Sequence, residues 1–400
     1  MQLCRCIKGD TGRSAGVSVK IFVMTHKKIN EPEDKIYIPL QVGKAAGQDL
    51  GYLGDDTGDN ISDLNKYYGE LTGVYWLWKN MEDEDYIGVC HYRRFFINEN
   101  RQLMNEKEYK SILEKYDIIT SNAVYTKGQS YSEDYGEAHN ISDLLIIGDV
   151  IKEKYPEYYP YFEEAINGNI CYYGNLMVAP KEMFCRYAEW LFGIFAEAAK
   201  RIDLSNYNLY EQRVYGFLSE QLLRVWVMKN QLKVYEGNIG IVAEKVETTE
   251  FKLAMKQLVK SRSICEARKL FYDYLKLRPD VRLELSDIKG EIPIIEQLIY
   301  IAEEEKNRNV KGLYEFSDNL SRWIEHYKKV QKILINCTED SVGEEDKQYI
   351  LDNCVSWIMI KIMILNPLTD VLDDSDKIIN VLKDIYQNAG LDEYCKELQM

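Results

Sequence analysis

The sequence predicts an α/β domain with a mostly parallel sheet, followed by an all-α C-terminal module. Through the first 250 residues, short apolar runs alternate with longer amphipathic segments, which is the pattern of strands connected by crossover helices. After residue 250 the composition changes, because only four of the chain's 24 glycines and eight of its 31 tyrosines lie there. We therefore predict an N-terminal extension over 1–16, the α/β domain over 17–247 and a helical domain over 248–400.

Four apolar runs predict the strands of the sheet, at 17–24, 86–90, 116–120 and 176–179. The clearest helices are predicted at 69–80, 140–154, 181–200 and 210–228. Asn140 has the side chain of a helix N-cap, with Asp143 in the first turn, where the helix dipole favours an acid. In the last 150 residues, Phe251, Ala254 and Leu258 begin a pattern of helical spacing, so this part predicts helices.

Charge and cysteine usage exclude several classes of protein. The formal net charge is −15, which argues against nucleic acid as a bulk partner because binding a polyanion requires a basic face. Nine cysteines without metal-binding spacing indicate a reducing compartment. No apolar run has the length of a signal peptide or a membrane span, so we expect a cytoplasmic protein that reaches a membrane only peripherally, at its inner face.

Ligands of open α/β sheets bind at the carboxyl ends of the strands, so the residues that follow each strand are the first candidates for a site. His91, Arg93 and Arg94 follow the second predicted strand, and a guanidinium group matches phosphate oxygens bidentately. Because alternate residues of an extended segment face opposite sides, we expect one arginine to grip a diphosphate and the other to pair within the wall. Solvated or structurally paired arginines are the competing interpretation.

The first predicted strand is followed by Thr25, His26 and Lys27, which offer a hydroxyl, an imidazole and a cation to a phosphate or a ribose. A histidine in a loop is, however, more often simply exposed. Gly174 and Asn175, before the fourth predicted strand, indicate a tight backbone path near the same site.

Short polar side chains are dense before the first long predicted helix. Asp59 and Asn60 are of the type that caps helices and shapes turns, which is their structural explanation. Asn65 and Glu70 would fall inside a helix, so we consider them candidates for contacts with sugar or ribose hydroxyls. Lys79 could reach the same crevice by laying its aliphatic stem along the helix.

A carboxylate for acid–base chemistry is available further along the chain. Glu220 lies seven residues after Arg213 in a predicted helix and shares a face with it, so it could act as a general base toward a hydroxyl. An Arg–Glu pair on the helix surface explains the same spacing. Asp134, Glu137 and His139 could suggest a metal site, but their spacing is unspecific and no second histidine is near.

Several blocks of residues resemble, in order, the domain-of-unknown-function 4422 family. They are Thr25-His-Lys27, Asp59-Asn-Ile-Ser62, Tyr68-Gly-Glu-Leu-Thr72, Tyr75-Trp76, Trp78-Lys-Asn80, Ile87-Gly-Val-Cys-His-Tyr-Arg-Arg-Phe95, Asn175, Tyr187-x-x-Trp190-Leu-Phe192 and Arg213-x-x-Gly-Phe-x-Ser-Glu220. The resemblance, over about residues 18–245, implies a GT-A-like glycosyltransferase of capsular or exopolysaccharide gene clusters. It implies transfer of a hexosyl unit, with galactosyl and galactofuranosyl as candidates, from a UDP-linked donor to a saccharide or a lipid-linked oligosaccharide.

The resemblance also implies roles for the candidate residues. Those that would bind the donor are Thr25, His26, Lys27, Asp59, Asn60, Asn65, Glu70, Lys79, His91, Arg93, Arg94, Asn175 and Arg213. Glu220 would be the base, with Asp134 in reserve, and His139 would contact the acceptor. Many GT-A enzymes carry a metal-binding Asp-x-Asp where this chain has His91, Tyr92 and Arg93. We therefore expect no metal cofactor, with Mn²⁺ as the less favoured alternative.

Two other functions fit the same sequence. One is a catalytically inactive scaffold that binds nucleotide sugars within a polysaccharide-assembly complex. The other is a nucleotidyl- or phosphotransferase that uses the same phosphate-binding strand ends. P-loop ATPases, Rossmann dehydrogenases, α/β-hydrolases and zincins lose support, because their sequence motifs are missing.

Overall fold

The computed structural model describes residues 18–82, 84–126, 128–282, 286–368, 374–391 and 397. It divides the chain into two compact units, the first ending at Val242 and the second starting at Ala243. The predicted domain boundary, between residues 247 and 248, lies slightly further along the chain. The predicted extension over 1–16 lies outside the described residues.

The first unit is an α/β unit. Its strands are β1 (Val19–Thr25), β2 (Tyr37–Gln41), β3 (Leu53–Gly54), β4 (Tyr86–His91), β5 (Arg94–Ile97), β6 (Ile118–Ser121), β7 (Val124–Tyr125), β8 (Ile170–Cys171), β9 (Met177–Pro180) and β10 (Val234–Ile241). Its helices are α1 (Asn65–Tyr68), α2 (Leu71–Asn80), α3 (Glu106–Leu113), α4 (Tyr131–Ala138), α5 (Ile141–Lys154), α6 (Tyr159–Asn167), α7 (Lys181–Ala198) and α8 (Val214–Lys229). The four predicted strands correspond to β1, β4, β6 and β9, and the four predicted helices to α2, α5, α7 and α8.

The eight-stranded sheet is mixed, so the prediction of a mostly parallel sheet is wrong. β1 pairs in parallel with β2 and β4, as do β2 with β3 and β6 with β10. β9 instead runs antiparallel between β4 and β6, and β5 runs antiparallel to β4 and β10. Hydrophobic periodicity identifies a strand but contains no information on its direction, so the two reversed strands could not be predicted from it.

Backbone geometry explains how β9 enters the sheet. Gly174 and Asn175 both have positive φ, 90° and 53°, so the chain makes a left-handed turn immediately before the strand. Because β9 is antiparallel to β4, with Met177 opposite Val89, this turn lies at the carboxyl end of β4. The fold thereby places Asn175 at the same edge of the sheet as His91.

The sheet is covered on both faces. Phe22 and Met24 of β1 belong to the larger core, whereas Ile21 and Val23 of the same strand belong to a second one. A strand that is buried on both sides has a continuous apolar sequence, as this one does. The N-cap predicted at Asn140 is confirmed, since its side chain accepts a hydrogen bond from the backbone N–H of Ser142.

β2 was not predicted from the sequence, because Pro39 lies inside its apolar run and prolines are uncommon within sheets. β2 accommodates Pro39 because β3 pairs only with Leu40 and Gln41, so β3 does not extend beside the proline. The end of β2 matters for the site, since the loop that follows it forms one wall of a cleft.

The second unit is helical, as predicted. In its described residues the helices are α9 (Val246–Lys260), α10 (Ile264–Leu277), α11 (Ile292–Asn307), α12 (Leu313–Phe316), α13 (Leu320–Thr338), α14 (Glu344–Asp352), α15 (Trp357–Leu365) and α16 (Ser375–Asn388). They enclose their own apolar core, with Trp323 and Tyr327 among its largest buried side chains. Within the part of the chain that is described, no single helix is long and apolar enough to cross a membrane. Taken together, α14 and α15 would be long and apolar enough, but they form a pair bent by 118°.

A buried lysine forms ion pairs with three carboxylates near the start of this unit. The Lys252 ammonium lies 2.6 Å from a carboxylate oxygen of Glu244, 2.6 Å from one of Asp287 and 2.9 Å from one of Glu291. Replacing Lys252 with methionine is expected to destabilise the helical unit by about 3–5 kcal/mol, because the carboxylates would lose their buried cation. Hydrogen exchange over α9 and α11 in the full chain measures this effect.

The matched control is Lys269→Met. Lys269 pairs with Asp273 at 2.8 Å, but its side chain is 81% exposed, so its loss should cost at most about 0.5 kcal/mol. Equal exchange rates in the two variants would contradict a stabilising role for the buried network.

Candidate active site

Six polar side chains converge at the carboxyl edge of β4, and we call them the charge cluster. They are Glu70, His91, Arg94, Asn175, Arg213 and Glu220. Glu70 comes just before α2, and Arg213 and Glu220 come from the start of α8. All six were predicted as site residues from the sequence, and the fold brings them together from four separate segments.

Glu70 is at the centre of the cluster. Its carboxylate accepts a hydrogen bond of 2.8 Å from the Asn175 side-chain amide, and it lies 3.9 Å from His91 Nε2 and 3.7 Å from an Arg213 nitrogen. Burial raises the pKa of Glu70, but His91, Arg213 and the Asn175 amide outweigh that effect and hold the pKa below its ordinary value. Glu70 is therefore the ionised acid of the cluster at neutral pH.

Glu220 is the second acid, and its environment is different. One of its carboxylate oxygens accepts a hydrogen bond of 2.8 Å from the backbone N–H of Gly174. Burial raises the pKa of Glu220 to about 7, with the nearby Glu70 charge adding to the effect and Arg94 opposing it. Two neighbouring carboxyl groups with separated pKa values are the usual arrangement of an acid–base site. Glu220 can therefore exchange a proton near neutral pH.

The structure distinguishes the two adjacent arginines. Arg93 is only 4% exposed, so its side chain is buried in the protein interior. Arg94 instead reaches Gly174: a Cβ on that glycine would lie 2.6 Å from an Arg94 nitrogen, so a larger residue would collide with the guanidinium group. The expectation that only one of the pair faces the site is consistent with this geometry.

Two buried polar atoms of the cluster have no hydrogen-bond partner among the described residues, namely Arg94 Nε and His91 Nε2. Burial is the main reason why the pKa of His91 is lowered to about 4; the Glu70 charge opposes this effect, and Arg94, Arg213 and Arg93 add to it. His91 is therefore neutral at physiological pH. Unsatisfied buried donors beside cationic groups suit an anionic ligand whose oxygens complete the hydrogen bonds.

Asn175 has a positioning role in this structure. Its amide nitrogen donates to Glu70 and to the Gly216 carbonyl, and its side-chain oxygen accepts from the Ser219 hydroxyl at 2.8 Å. All of its hydrogen-bonding capacity except one lone pair is therefore used within the protein. Asn175 links the turn before β9 to the first turns of α8, and so fixes Glu70 relative to Glu220.

A cleft of about 550 Å³ lies at the carboxyl ends of β1 and β2. Its lining residues are His26, Lys27, Lys28, Gln41, Val42, Gly43, Ala46, Gly47, Gln48, Leu50, Ser62, Asp63, Asn65 and Lys66. Among these side chains are four basic ones, so the cleft suits an anionic ligand despite the acidic chain as a whole. Asn65 connects the cleft to the charge cluster, because its amide donates to the Gly69 carbonyl next to Glu70.

A buried aspartate holds one wall of the cleft. Asp55 is fully buried and accepts hydrogen bonds from the backbone N–H groups of Gly43 and Lys44 and from the Ser62 hydroxyl. Asp55→Ala is expected to destabilise the first unit by about 3–5 kcal/mol, since one buried and two partly buried donors would lose their acceptor. Chemical denaturation of the full chain measures this loss.

The control for that prediction is Asp49→Ala on the same loop. The Asp49 side chain is 68% exposed and pairs with Lys44 at 3.2 Å, so its removal should change stability by no more than about 0.5 kcal/mol. If both variants unfold at the same denaturant concentration, Asp55 does not support the wall.

The residues at the end of β1 lie near the cleft, and each of them contacts neighbouring residues of the protein. The buried Thr25 hydroxyl donates to the Lys27 carbonyl at 2.6 Å, which shapes the turn. His26 contacts the Tyr92 ring edge-on at 5.3 Å between centroids, and the Lys27 ammonium lies 4.5 Å from the centre of the same ring. His26 and Lys27 thus line the cleft as predicted candidates, whereas Thr25 is committed to the backbone turn.

Three other donor-binding candidates lie in a separate surface group. Asp59 accepts from the Tyr75 hydroxyl at 3.0 Å, and Lys79 lies 4.0 Å from Asp59 and 3.6 Å from the centre of the Trp78 ring. Asn60 donates to the Gly58 carbonyl. None of their described contacts is with the charge cluster, and Lys79 does not extend toward the strand ends.

The reserve base and the acceptor candidate flank the cluster. Asp134 accepts hydrogen bonds from the Tyr173 hydroxyl at 3.0 Å and from the Gln129 amide at 3.2 Å. His139 stacks on Phe217 with 4.2 Å between ring centroids. Among the described residues, no group of three or more His, Cys, Asp or Glu side chains is arranged to hold a metal ion, and Asp134 and His139 do not form such a group.

The loop after β2, with Gln41 and Asp55, and the ring of Phe217 were not predicted from the sequence. Gln41 holds the far end of that loop, donating to the Gln48 carbonyl and accepting from the Leu50 N–H. The sequence pattern indicated this loop only weakly, because Pro39 argued against a strand immediately before it. Phe217 lies within the matching block around Glu220, but an aromatic residue in an amphipathic helix gives no sign of which way it faces.

The apo structure of WbbM, titled a bifunctional glycosyltransferase, is similar to this chain with a TM-score of 0.52 and 33% sequence identity. The similarity covers 57% of this chain and 46% of the WbbM chain, so this chain matches less than half of that protein's length. No curated protein matches the sequence.

Residues 20–231, which include the whole charge cluster and the cleft, match the family described as a domain of unknown function, DUF4422. The match covers more than half of the 400 residues and confirms the resemblance seen in the blocks around His91 and Glu220. The chain therefore belongs to the DUF4422 family.

Proposed function

We propose that the protein is a glycosyltransferase that moves a hexosyl unit from a nucleotide-diphosphate sugar to a saccharide acceptor. The observation that carries the proposal is the charge cluster, in which an acid that titrates near neutral pH adjoins an arginine with a buried unsatisfied donor. The similarity to WbbM supports it, because that protein is titled a glycosyltransferase. The proposal includes the GT-A-like class, the UDP donor, the galactosyl or galactofuranosyl unit, and capsular or exopolysaccharide synthesis.

The donor would lie along the carboxyl edge of the sheet. The cleft with its four basic side chains would hold the nucleoside end, with His26 and Lys27 in its wall. Arg94 and Arg213 would meet the diphosphate, and His91 would donate or accept a neutral hydrogen bond beside them. This order places the bond between the sugar and the diphosphate next to Glu70 and Glu220.

The transfer itself requires one proton movement. Glu220, as carboxylate, accepts the proton of the acceptor hydroxyl while that oxygen bonds to the anomeric carbon of the donor sugar. The bond from that carbon to the diphosphate oxygen breaks, and the nucleoside diphosphate leaves with the electron pair. Arg94 and Arg213 stabilise the charge that develops on the leaving group, in a site that burial has already desolvated. Glu70 remains ionised and keeps Arg213 and His91 in position.

The groups at this site do not fit the divalent metal that many GT-A enzymes hold. At the end of β4, where such enzymes have carboxylates, this chain has His91, Tyr92 and Arg93, with Arg94 beside them. Guanidinium groups repel a divalent cation, whereas they bind phosphate directly. We therefore propose that arginines take over the metal's electrostatic role.

The test is release of nucleoside diphosphate from a panel of UDP-, GDP-, TDP- and CMP-linked sugars, with and without a chelator. Activity in excess chelator supports the metal-free transferase, while strict dependence on Mn²⁺ would overturn the assignment of Arg94. Release of pyrophosphate from a nucleoside triphosphate would instead identify a nucleotidyltransferase. Nucleotide-sugar binding without transfer or donor hydrolysis would identify a scaffold.

A further inference from the structure

A group of four aromatic rings continues outward from the charge cluster, and we call it the aromatic shelf. It consists of Tyr135 and His139 at the end of α4, and of Tyr210 and Phe217 at the start of α8. His139 stacks on Phe217 at 4.2 Å between centroids and 29° between planes, and Tyr210 lies 4.9 Å from Phe217. Tyr135 packs 4.7 Å from His139. Phe217 and His139 are half-buried, so part of the stack faces solvent.

The shelf adjoins the proposed reaction centre. Phe217 precedes Glu220 by three residues, which is one turn of α8. The Arg213 guanidinium carbon lies 5.7 Å from the centre of the Phe217 ring, so one arginine contacts both the shelf and Glu70. Tyr135 is near enough to Glu220 for the two side chains to interact electrostatically.

The Tyr135 hydroxyl is the polar atom of the shelf that matters for the ligand. The Tyr135 hydroxyl is buried and makes no hydrogen bond within the described residues. A buried hydroxyl without a partner costs free energy, and a ligand hydroxyl that reached it would remove that cost. This is an observation independent of the ring stack, and it points to a polar ligand beside an apolar surface.

The direction of transfer identifies which ligand this is. The carboxylate of Glu220 meets Gly174, where Arg94 is placed to hold the leaving diphosphate. An attacking hydroxyl must approach the anomeric carbon from the side away from that diphosphate and must reach Glu220 to lose its proton. Phe217 lies one turn before Glu220 on α8, so the shelf is a surface that flanks Glu220.

We propose, on the basis of the proposed function, that the aromatic shelf is the acceptor subsite and that Phe217 packs against the apolar face of a saccharide ring. A pyranose or furanose ring has a C–H face that suits an aromatic ring and an edge of hydroxyls that suits Tyr135 and Glu220. Acceptor specificity then depends on Phe217, a residue to which the sequence analysis assigned no role, and His139 supports the Phe217 ring from behind.

The test is ligand-observed saturation-transfer NMR with methyl glycosides of galactose, glucose, mannose and N-acetylglucosamine, with and without UDP. Saturation of the ring C–H protons is expected for at least one glycoside, and it should fall about tenfold in Phe217→Ala but be largely retained in Phe217→Tyr. Calorimetry with UDP on the same samples tests the donor site separately. Failure of UDP to bind would therefore count against the proposed function, not against the shelf.

Phe316 provides a matched control. It stacks on His326 at 4.2 Å and has the Arg322 guanidinium carbon 5.3 Å from its ring centre, in the helical unit. Phe316→Ala removes a similar stack and should leave glycoside saturation at the wild-type level. The proposal is overturned if no glycoside is saturated, if Phe217→Ala retains full saturation, or if Phe217→Ala and Phe316→Ala lower it equally. Loss of both glycoside and UDP binding in Phe217→Ala would also overturn it, since it would indicate general disruption.

Discussion

Replacing Glu220 with glutamine is expected to lower the rate of sugar transfer by roughly 100- to 10,000-fold, which is the usual contribution of a general base. The amide keeps the shape of the side chain and its acceptor for the Gly174 N–H, but it cannot take a proton from the acceptor hydroxyl. Donor affinity should remain close to that of the wild type, because Glu220 does not contact the leaving diphosphate in our proposal. Steady-state kinetics together with calorimetry of UDP binding separates the two effects.

The pH dependence of kcat/KM is a second test of Glu220 as the general base. Because burial raises the pKa of Glu220 to about 7, the fraction of the base that is ionised increases between about pH 6 and pH 8. The value of kcat/KM should therefore rise through this range, and the residual activity of Glu220→Gln should not. His91, whose pKa is lowered to about 4, stays neutral throughout and adds no second step.

The same shift makes a prediction about stability that checks whether the variant is folded. A carboxyl group whose folded-state pKa is raised favours the folded state at low pH and loses that contribution as the pH rises through about 7. Glu220→Gln should therefore be more stable than the wild type at pH 8 and equally stable at pH 4. A variant that is inactive and also less stable at pH 8 would indicate a structural role for Glu220.

Glu305 offers a matched control in the helical unit. It is also a buried acid whose pKa burial raises to about 7, and it accepts hydrogen bonds from the Leu313 N–H and the Ser356 hydroxyl. Glu305→Gln should reproduce the gain in stability at pH 8 without any loss of transfer. If transfer falls equally in both variants, removal of a buried charge, and not loss of a base, explains the effect.

The position of the candidate site was predictable because ligands of open α/β sheets bind at the carboxyl ends of the strands. Apolar strands are evident from the sequence, and ligands of such sheets bind where the strands end, so His26, His91 and Arg94 could be named in advance. Helical periodicity placed Arg213 and Glu220 on one face, and in the structure both lie near Glu70. What periodicity cannot supply is the direction of a strand or the long-range partner of a side chain.

Asn175 illustrates that limit. In a parallel sheet, a residue just before a strand lies at the amino edge, far from the ends of β1 and β4. Only because β9 runs antiparallel does the turn of Gly174 and Asn175 reach the carboxyl edge, where its backbone and side chain bind the two acids. The sequence identified the residue, but the reason for its place in the site is a strand direction that the sequence does not contain.

Asp59 and Lys79 illustrate a second limit of short-range reasoning. Both belong to blocks that resemble the family, and both are polar, but polarity alone does not say whether a residue faces a ligand or completes a local contact. In the structure they pair with each other at 4.0 Å, beside Tyr75 and Trp78. Their blocks shape the segment before α2, which in turn fixes the position of Glu70.

Arg94→Ala is expected to weaken UDP binding by roughly 30- to 100-fold, the effect of losing a charge-assisted hydrogen bond to phosphate at a desolvated site. Binding of uridine, which has no phosphate, should change by less than about threefold, since Arg94 lies at the charge cluster and not in the cleft. Arg94→Lys should be intermediate, because it keeps the charge but loses the planar fork. Calorimetry with both ligands, in chelator and in Mn²⁺, measures these differences.

Arg201→Ala is the control for removing an arginine, since Arg201 is on the surface and bonds to Glu153. If UDP and uridine lose affinity equally in Arg94→Ala, Arg94 supports the shape of the cleft and does not bind the diphosphate. If UDP binds the wild type only when Mn²⁺ is present, a metal neutralises the diphosphate and the guanidinium group does not replace it. Chelator-resistant UDP binding that depends on Arg94 requires the diphosphate to lie at the end of β4, and that position in turn places the anomeric carbon beside Glu220.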